Sequence, residues 1–394
     1  MNRKLILSII ILSISVISIY LFKTYASNFG YIKNGADITF TNNKEQVKAY
    51  KLNDNEILFL GKNTDTTNNI SVPTEIYNIE NNTIKLLNFP NILYQSNGIL
   101  INKDKLLLLN ASKQPSKVNK SFFNTIVLID LTNNKEVQFY DKKINRTHNS
   151  NIEQISYTLL NNGNVLIIDF KNKIAEVYNP NLNTSITLNF AFDKNRKNVI
   201  LPFNKDQALI FGQTNNNYDF MDTVIIYDDK NKTFQEFGHT IRRTNPYIIP
   251  LKNNEFLIIG GTIHMSHNAQ IYDIRDIEIF DANTGLSKIV NKLPKSLKYD
   301  YRTDRNSFAI ARINDRYILI TGGKYGVAPF EKYWKNSFII DTEDKYTIKK
   351  GPNLKYPLAS HQMLQLKTGK ILIYDGDVPN KIRTQMYYLK FGGK

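Results

Sequence analysis

The sequence predicts an all-β ring, a β-propeller of four-stranded antiparallel blades, preceded by one transmembrane helix at the N-terminus. Two repeating registers and one apolar run carry that reading. Seven short apolar strands end in Gly or a small polar residue: EILFLG at Gly61, KLLLLN at Asn110, NVLIID at Asp169, QALIFG at Gly212, EFLIIGG at Gly260 and Gly261, RYILITGG at Gly322 and Gly323, and KILIYDG at Gly376. Six of them are followed, after a variable loop, by a further strand and an Asn/Asp-rich turn, as in TEIYNIENN around Tyr77, IVLIDLTNN around Asp130, AEVYNPNLN around Tyr178, VIIYDDKNK around Tyr227, IEIFDANTG around Phe280 and FIIDTEDK around Asp341. The two landmarks recur in phase and define a unit of about fifty residues, a meander that buries its faces only against copies of itself arranged radially.

Taken in order, the chain begins with an uncharged run of 18 residues, Leu5 to Phe22, flanked by Arg3, Lys4 and Lys23. As a helix at about 1.5 Å per residue it spans roughly 27 Å, enough to cross a hydrocarbon core. Thr24-Tyr25-Ala26 is a poor cleavage site, which favours a signal anchor over a cleaved signal peptide for residues 1–26. The positive-inside rule keeps Arg3 and Lys4 cytoplasmic and exports everything after Lys23, to the periplasmic or extracellular side. Residues 27–35 read as a linker, and residues 36–394 as a single propeller domain.

Within that domain, polar pairs such as Asn161-Asn162-Gly163, Asn253-Asn254 and Asn314-Asp315 supply the tight hairpin turns between first and second strands. Roughly 360 residues at about fifty per blade give seven blades, with six left open by the count. The last unit offers HQMLQL, KILIYDG and QMYYLKF and then ends one strand short. Ala36 to Thr41, ADITFT, is the expected donor of the missing strand, closing the ring and removing its open edges.

Composition narrows the function classes. The chain has 394 residues, no Cys, and a net charge of +16 from 51 Lys+Arg against 35 Asp+Glu. Without Cys there is no disulfide framework, thiolate metal site or cysteine nucleophile. About 50 Asn accompany Lys and Ile throughout, so the charge reads first as compositional bias and solvated surface, and second as affinity for an acidic partner.

These repeats resemble the Kelch-repeat family, whose blades carry a Gly-Gly doublet after the second strand and an aromatic-Asp turn after the third. Gly260-Gly261 and Gly322-Gly323 match the doublet in full; Gly61, Gly212 and Gly376 match by one Gly, and Asn110 and Asp169 replace it. The Trp usual in the family's fourth strand is missing, the single Trp334 lying elsewhere. The resemblance implies a binding module. It is of the type of the galactose oxidase central domain but without its copper-oxidase residues, since a Tyr–Cys cross-link needs Cys. No cofactor is expected.

Connections in a meander alternate between the faces of the disc. One face has short turns, while the other has long, dissimilar loops: 62–73, 111–122, 213–221, 262–274 and 324–335. Variable loops on a rigid scaffold are where binding resides. Counting back from the second-strand ends puts Gln46, Gln95, Gln154, Lys197, Asn245, Ser307 and His361 around the channel mouth, with Arg196, Arg242, Arg243, Arg302 and Arg305 beside them. Guanidinium forks suit carboxylate or phosphate. The expected ligand set is therefore Arg242, Arg243, Arg302, Arg305 and His361, with Tyr301 and Trp334 as aromatic contacts, for an anionic glycan or a protein partner. Channel-lining polar residues that merely bond neighbouring backbone are the competing reading.

An enzyme is the less favoured reading. Its form would be an acidic-sugar mutarotase of the Kelch-like kind, with Glu153 as the available carboxylate. His264-Met265-Ser266-His267 has metal-ligand spacing but no marked third ligand, so no metal is expected. The basic, Tyr-containing stretch from Lys292 to Arg316 is not read as a nucleic-acid site in an exported chain.

Overall fold

The computed structural model describes residues 32–39, 44–63, 74–87, 93–94, 98–112, 125–131, 140–143, 155–170, 172–190, 199–213, 222–243, 245–265, 270–294, 297, 307–325, 331–366, 370–378, 381–382 and 386–391. They form an all-β propeller of seven four-stranded antiparallel blades. Blade one comprises Lys44–Lys51, Glu56–Asn63, Thr74–Asn78 and Thr83–Leu87. In blade two the first strand is split into Leu93–Tyr94 and Gly98–Asn102, both paired with Lys105–Ser112, and Thr125–Asp130 and Tyr140–Lys143 follow. Blades three and four are continuous meanders over 155–189 and 199–239.

Blades five and six have the same layout, over 247–292 and 308–350, but extend the connection between their second and third strands into hairpins. Thr262–Met265 pairs with Gln270–Asp273 in one, and Lys324–Tyr325 with Lys332–Tyr333 in the other. Blade seven takes Gln362–Gln365, Lys370–Tyr374 and Met386–Phe391 from the C-terminal end and its outermost strand from the N-terminal side. That strand is Ile32–Ile38, antiparallel to the last one with Ile32 opposite Phe391. It starts four residues before the expected Ala36–Thr41 and overlaps it over 36–38. Residues 1–31 lie outside the described residues, and among the described ones no helix is long and apolar enough to cross a membrane.

Alternation along the strands explains why the units need one another. Second strands such as Val165–Asp169 are buried throughout, whereas fourth strands such as Thr184–Asn189 are largely exposed. The two faces of each blade carry separate apolar rows, and seven apolar clusters result, one per junction. Leu60 with Leu106 joins blades one and two, Leu109 with Val165 two and three, Ile168 with Ile210 three and four, and Phe211 with Phe256 four and five. Ile259 with Ile320, Leu319 with Ile371, and Leu372 with Phe59 complete the circuit. Truncating one such aliphatic side chain to Ala costs about 2–5 kcal/mol, so each junction stabilises both blades.

Polar bonds supplement these cores unevenly. At the third junction Asp229, 4% exposed, accepts hydrogen bonds from Asn162 and Asn164 of blade three and from Tyr227 and Lys232 of its own blade, all at 2.6–2.8 Å. Burial alone would raise this carboxyl, yet the bonds from Lys232, Tyr227, Asn164 and Asn162 hold it below its ordinary value. Around the channel, Tyr50 Oη donates to Gly98 O at 2.7 Å, and Gln362 Nε2 to Val47 O at 3.0 Å. Lys48 Nζ reaches past blade two to Tyr157 Oη at 2.6 Å.

Candidate functional site

The long-loop face is organised by the ends of the second strands. Gly260 and Gly261 adopt φ of 71° and 96°, Gly322 and Gly323 of 65° and 112°, a conformation natural for glycine and costly for most residues. In blade seven the corresponding pair is Asp375-Gly376, at 59° and 103°, with Asp taking the first glycine's place. Close approach adds to the requirement. A Cβ on Gly322 would run into Leu358 O and come within 2.7 Å of His361 Cε1, and one on Gly376 would sit 2.6 Å from His361 Cβ.

The chain entering blade five crosses this face at Ile241 to Asn245. Arg243 there is 2% exposed and enclosed by the blade. Its Nη2 donates to Glu278 Oε2 at 2.7 Å, and its Nη1 to Gly260 O at 2.9 Å and Asp276 O at 3.1 Å. The other carboxylate oxygen of Glu278 accepts the Ile241 amide at 2.8 Å. One ion pair thus ties the incoming loop to the glycine doublet and the third strand of blade five. Arg243, expected as a ligand contact at the mouth, has its donors engaged inside the protein, where they hold the loop. Arg242, next to it, has a side chain 61% exposed and pairs with Asp222 at 3.2 Å.

His361, expected beside the arginines at the mouth, is likewise enclosed. It is 3% exposed, with Nε2 2.7 Å from Thr321 Oγ1, whose hydroxyl approaches Met363 Sδ at 3.3 Å. Burial pushes its pKa down to about 3, so at neutral pH the ring is uncharged and brings no cation to the mouth. Its place in the ring differs as well. Ser360, at φ 54°, matches Asn245 at 49°, because each lies two residues before the partner of the residue preceding the doublet: Gln362 opposite Tyr374, Tyr247 opposite Ile259. Ser307 holds the same step in blade six, where its hydroxyl donates to Lys324 O at 3.2 Å and accepts the Lys324 amide at 3.0 Å.

Trp334 sits at the foot of the blade-six hairpin, its amide donating to Gly323 O at 2.8 Å and its carbonyl accepting the Leu358 amide at 3.1 Å. Its indole Nε1 is buried and has no hydrogen-bond partner, and the same holds for His361 Nδ1. Beside it Glu331 bridges Lys324 Nζ at 3.3 Å and Tyr333 Oη at 3.0 Å. Tyr301, Arg302 and Arg305 lie outside the described residues, as do Glu153, Gln95, Gln154, Arg196, Lys197 and His267. His264 falls on the strand Thr262–Met265, and no cluster of metal-ligating side chains occurs among the described residues.

The carboxylate that engages Arg243 is the residue sequence reasoning missed. Glu75, Glu176 and Glu278 occupy one register step, two residues before Tyr77, Tyr178 and Phe280, and all three are buried. A charged residue recurring inside an apolar third strand, in TEIY, AEVY and IEIF, was the available signal. Blade six carries Phe338 at that step, opposite Ile320 as Glu278 is opposite Ile258. No model of a known protein family matches the chain, and no curated protein is significantly similar to it.

Proposed function

We propose that the protein is an exported, membrane-anchored propeller of Kelch type that acts as a binding module, holding an anionic glycan or an acidic protein surface on its long-loop face. The observation that carries this reading is the division of labour between Arg242 and Arg243. The buried pair of Arg243 with Glu278 fixes the loop, and Arg242 is thereby presented to solvent from a rigid position. A preorganised guanidinium loses little freedom on binding and favours planar, bidentate anions.

Arg305 extends the cationic sector. It stands two residues before Ser307, as Arg243 stands two before Asn245, but the third-strand position that supplies Glu278 in blade five is Phe338 in blade six. Among the described residues the carboxylate that holds Arg243 inward has no counterpart at that step, which supports a ligand-binding role for Arg305 with Arg302 and Tyr301. Trp334, half-buried at the foot of the blade-six hairpin, adds an aromatic surface.

The experiment is a binding titration of the full chain in detergent with polygalacturonate, and with dextran as the uncharged control. Saturable, salt-sensitive binding of the acidic polymer is expected, at least tenfold weaker for Arg242→Ala, on the order of one charge-assisted contact, with an unchanged melting temperature. Equal binding of dextran, or indifference to Arg242→Ala and Arg305→Ala, overturns the reading.

A further inference from the structure

The short-turn face differs between junctions in a way that repeat symmetry makes measurable. Beyond the third strands of five blades an amide donates to a turn of its own blade: Ile79 to Asn55 O, Leu131 to Asp104 O, Asp229 to Asp206 O, Ala282 to Asn254 O and Thr342 to Arg316 O, at 2.6–2.9 Å. Leu131 and Asp229 are therefore the same position in blades two and four. By the same logic Leu52 and Leu160, whose amides donate to Glu56 O and Asn164 O, are equivalent, and so are Glu56 and Asn164.

At the junction of blades three and four, Asn164 and Asn162 bond Asp229 and close the gap. At the junction of blades one and two, the partner of Glu56 across the gap is Leu131, which offers no donor. A cavity of about 410 Å³ opens there. Its floor is Leu52, Ile76 and Leu131, the uncovered end of the apolar cluster between these blades. Leu160, by contrast, is 1% exposed.

Both signs of charge border this floor: the carboxylates of Glu56 and Asp104, and the ammonium groups of Lys85 and Lys103. Asn53 Nδ2 donates to Glu56 Oε2 at 2.7 Å and orients that carboxylate. No aromatic side chain is among the described lining residues, so no ring is offered for stacking a sugar or a base. We propose that the cleft between blades one and two binds a small zwitterion with an aliphatic side chain, of amino-acid to dipeptide size. Its ammonium lies on Glu56 and Asp104, its carboxylate on the lysines, and its side chain on the leucine floor. The volume falls within the range of small-molecule pockets, which begins at about 300 Å³.

Calorimetric titration of the full chain in detergent with the dipeptide Leu-Leu tests this. Saturable binding is expected, weakened about tenfold or more by N-acetylation or by C-terminal amidation of the dipeptide, the loss of one charge-assisted bond in each case. Leu131→Trp should abolish binding by filling the cleft, and Glu56→Gln should match the effect of N-acetylation without adding to it. Should Leu131→Trp perturb folding, Lys103→Glu, a change at an exposed side chain, serves in its place and should act as amidation does. Absence of binding, or affinity unaltered by blocking either end, overturns the proposal. Arg242→Ala, on the opposite face, should leave this titration unchanged, so failure here and failure of the anion reading are separately visible.

Discussion

Replacing Arg243 by Met separates a structural from a ligand-binding arginine. The guanidinium is buried with Glu278 at 2.7 Å, and both residues are at most 2% exposed. Removing one partner of such a pair leaves a buried, uncompensated charge, which costs about 3–5 kcal/mol. At roughly 2 cal/mol/K per residue, a ring of roughly 360 residues has an unfolding entropy of about 0.7 kcal/mol/K, so that loss corresponds to about 4–7 °C in melting temperature. Glu278→Gln should cost less, because a neutral amide can still accept from Arg243. The double replacement Arg243→Met with Glu278→Gln should recover part of the single-mutant loss, the stranded charge having been removed. The assay is thermal unfolding of the full chain in detergent, followed by circular dichroism at neutral pH. A shift under about 1 °C for Arg243→Met, or a double mutant as low as the sum of the singles, would refute the buried-clamp reasoning.

Three further outcomes follow from the geometry. Because burial depresses His361 to about 3 while the unfolded value is about 6.5, its contribution is complete above about pH 6.5 and is lost as pH falls toward 3; the melting temperature should decline between pH 6.5 and 5, and His361→Gln should flatten that decline. A Cβ on Gly238 would collide with the carbonyl of Gly285 where blades four and five touch, so Gly238→Ala should destabilise by about 1–3 kcal/mol, whereas the same change at Gly163, with nothing within 4 Å, meets only the backbone penalty of its positive φ; denaturant midpoints compare the two. Deleting residues 1–38 removes the closing strand and its Lys355–Asp37 bond of 2.6 Å, leaving Met386–Phe391 as an open edge; size-exclusion chromatography should show association that a deletion of residues 1–31 does not.

The architecture was legible because it is what the blades share. Seven apolar strands at one period, each feeding a turn-rich partner, admit few other arrangements, and the seven junction clusters are their physical consequence. What escaped was whatever depends on a partner in space. The last unit, one strand short, points to Ala36–Thr41 as the donor, but the register of the closing strand is set by pairing with Phe391 and by an irregularity between Asn34 and Asp37. The ring position of His361 slipped by one residue because Asp375, in the left-handed region, stands for a glycine that the sequence does not display.

Arg243 shows why candidate sites are harder to read than folds. Arg243 and Arg305 occupy the same step of the repeat, so local sequence treats them alike. The carboxylate that engages Arg243 comes from 35 positions downstream, Glu278, and the next blade has Phe338 at that step. The same holds on the other face, where Leu131 in place of Asp229 turns a closed junction into a cleft. In a repeat protein the common positions are fixed by packing, and each departure from them finds its own local partners. Glu278 is met by Arg243 of the loop entering its own blade; Glu56 faces a leucine across its junction and accepts a hydrogen bond from Asn53 of its own turn. Departures between equivalent positions of different junctions, rather than a motif within one blade, therefore set what is particular to each junction.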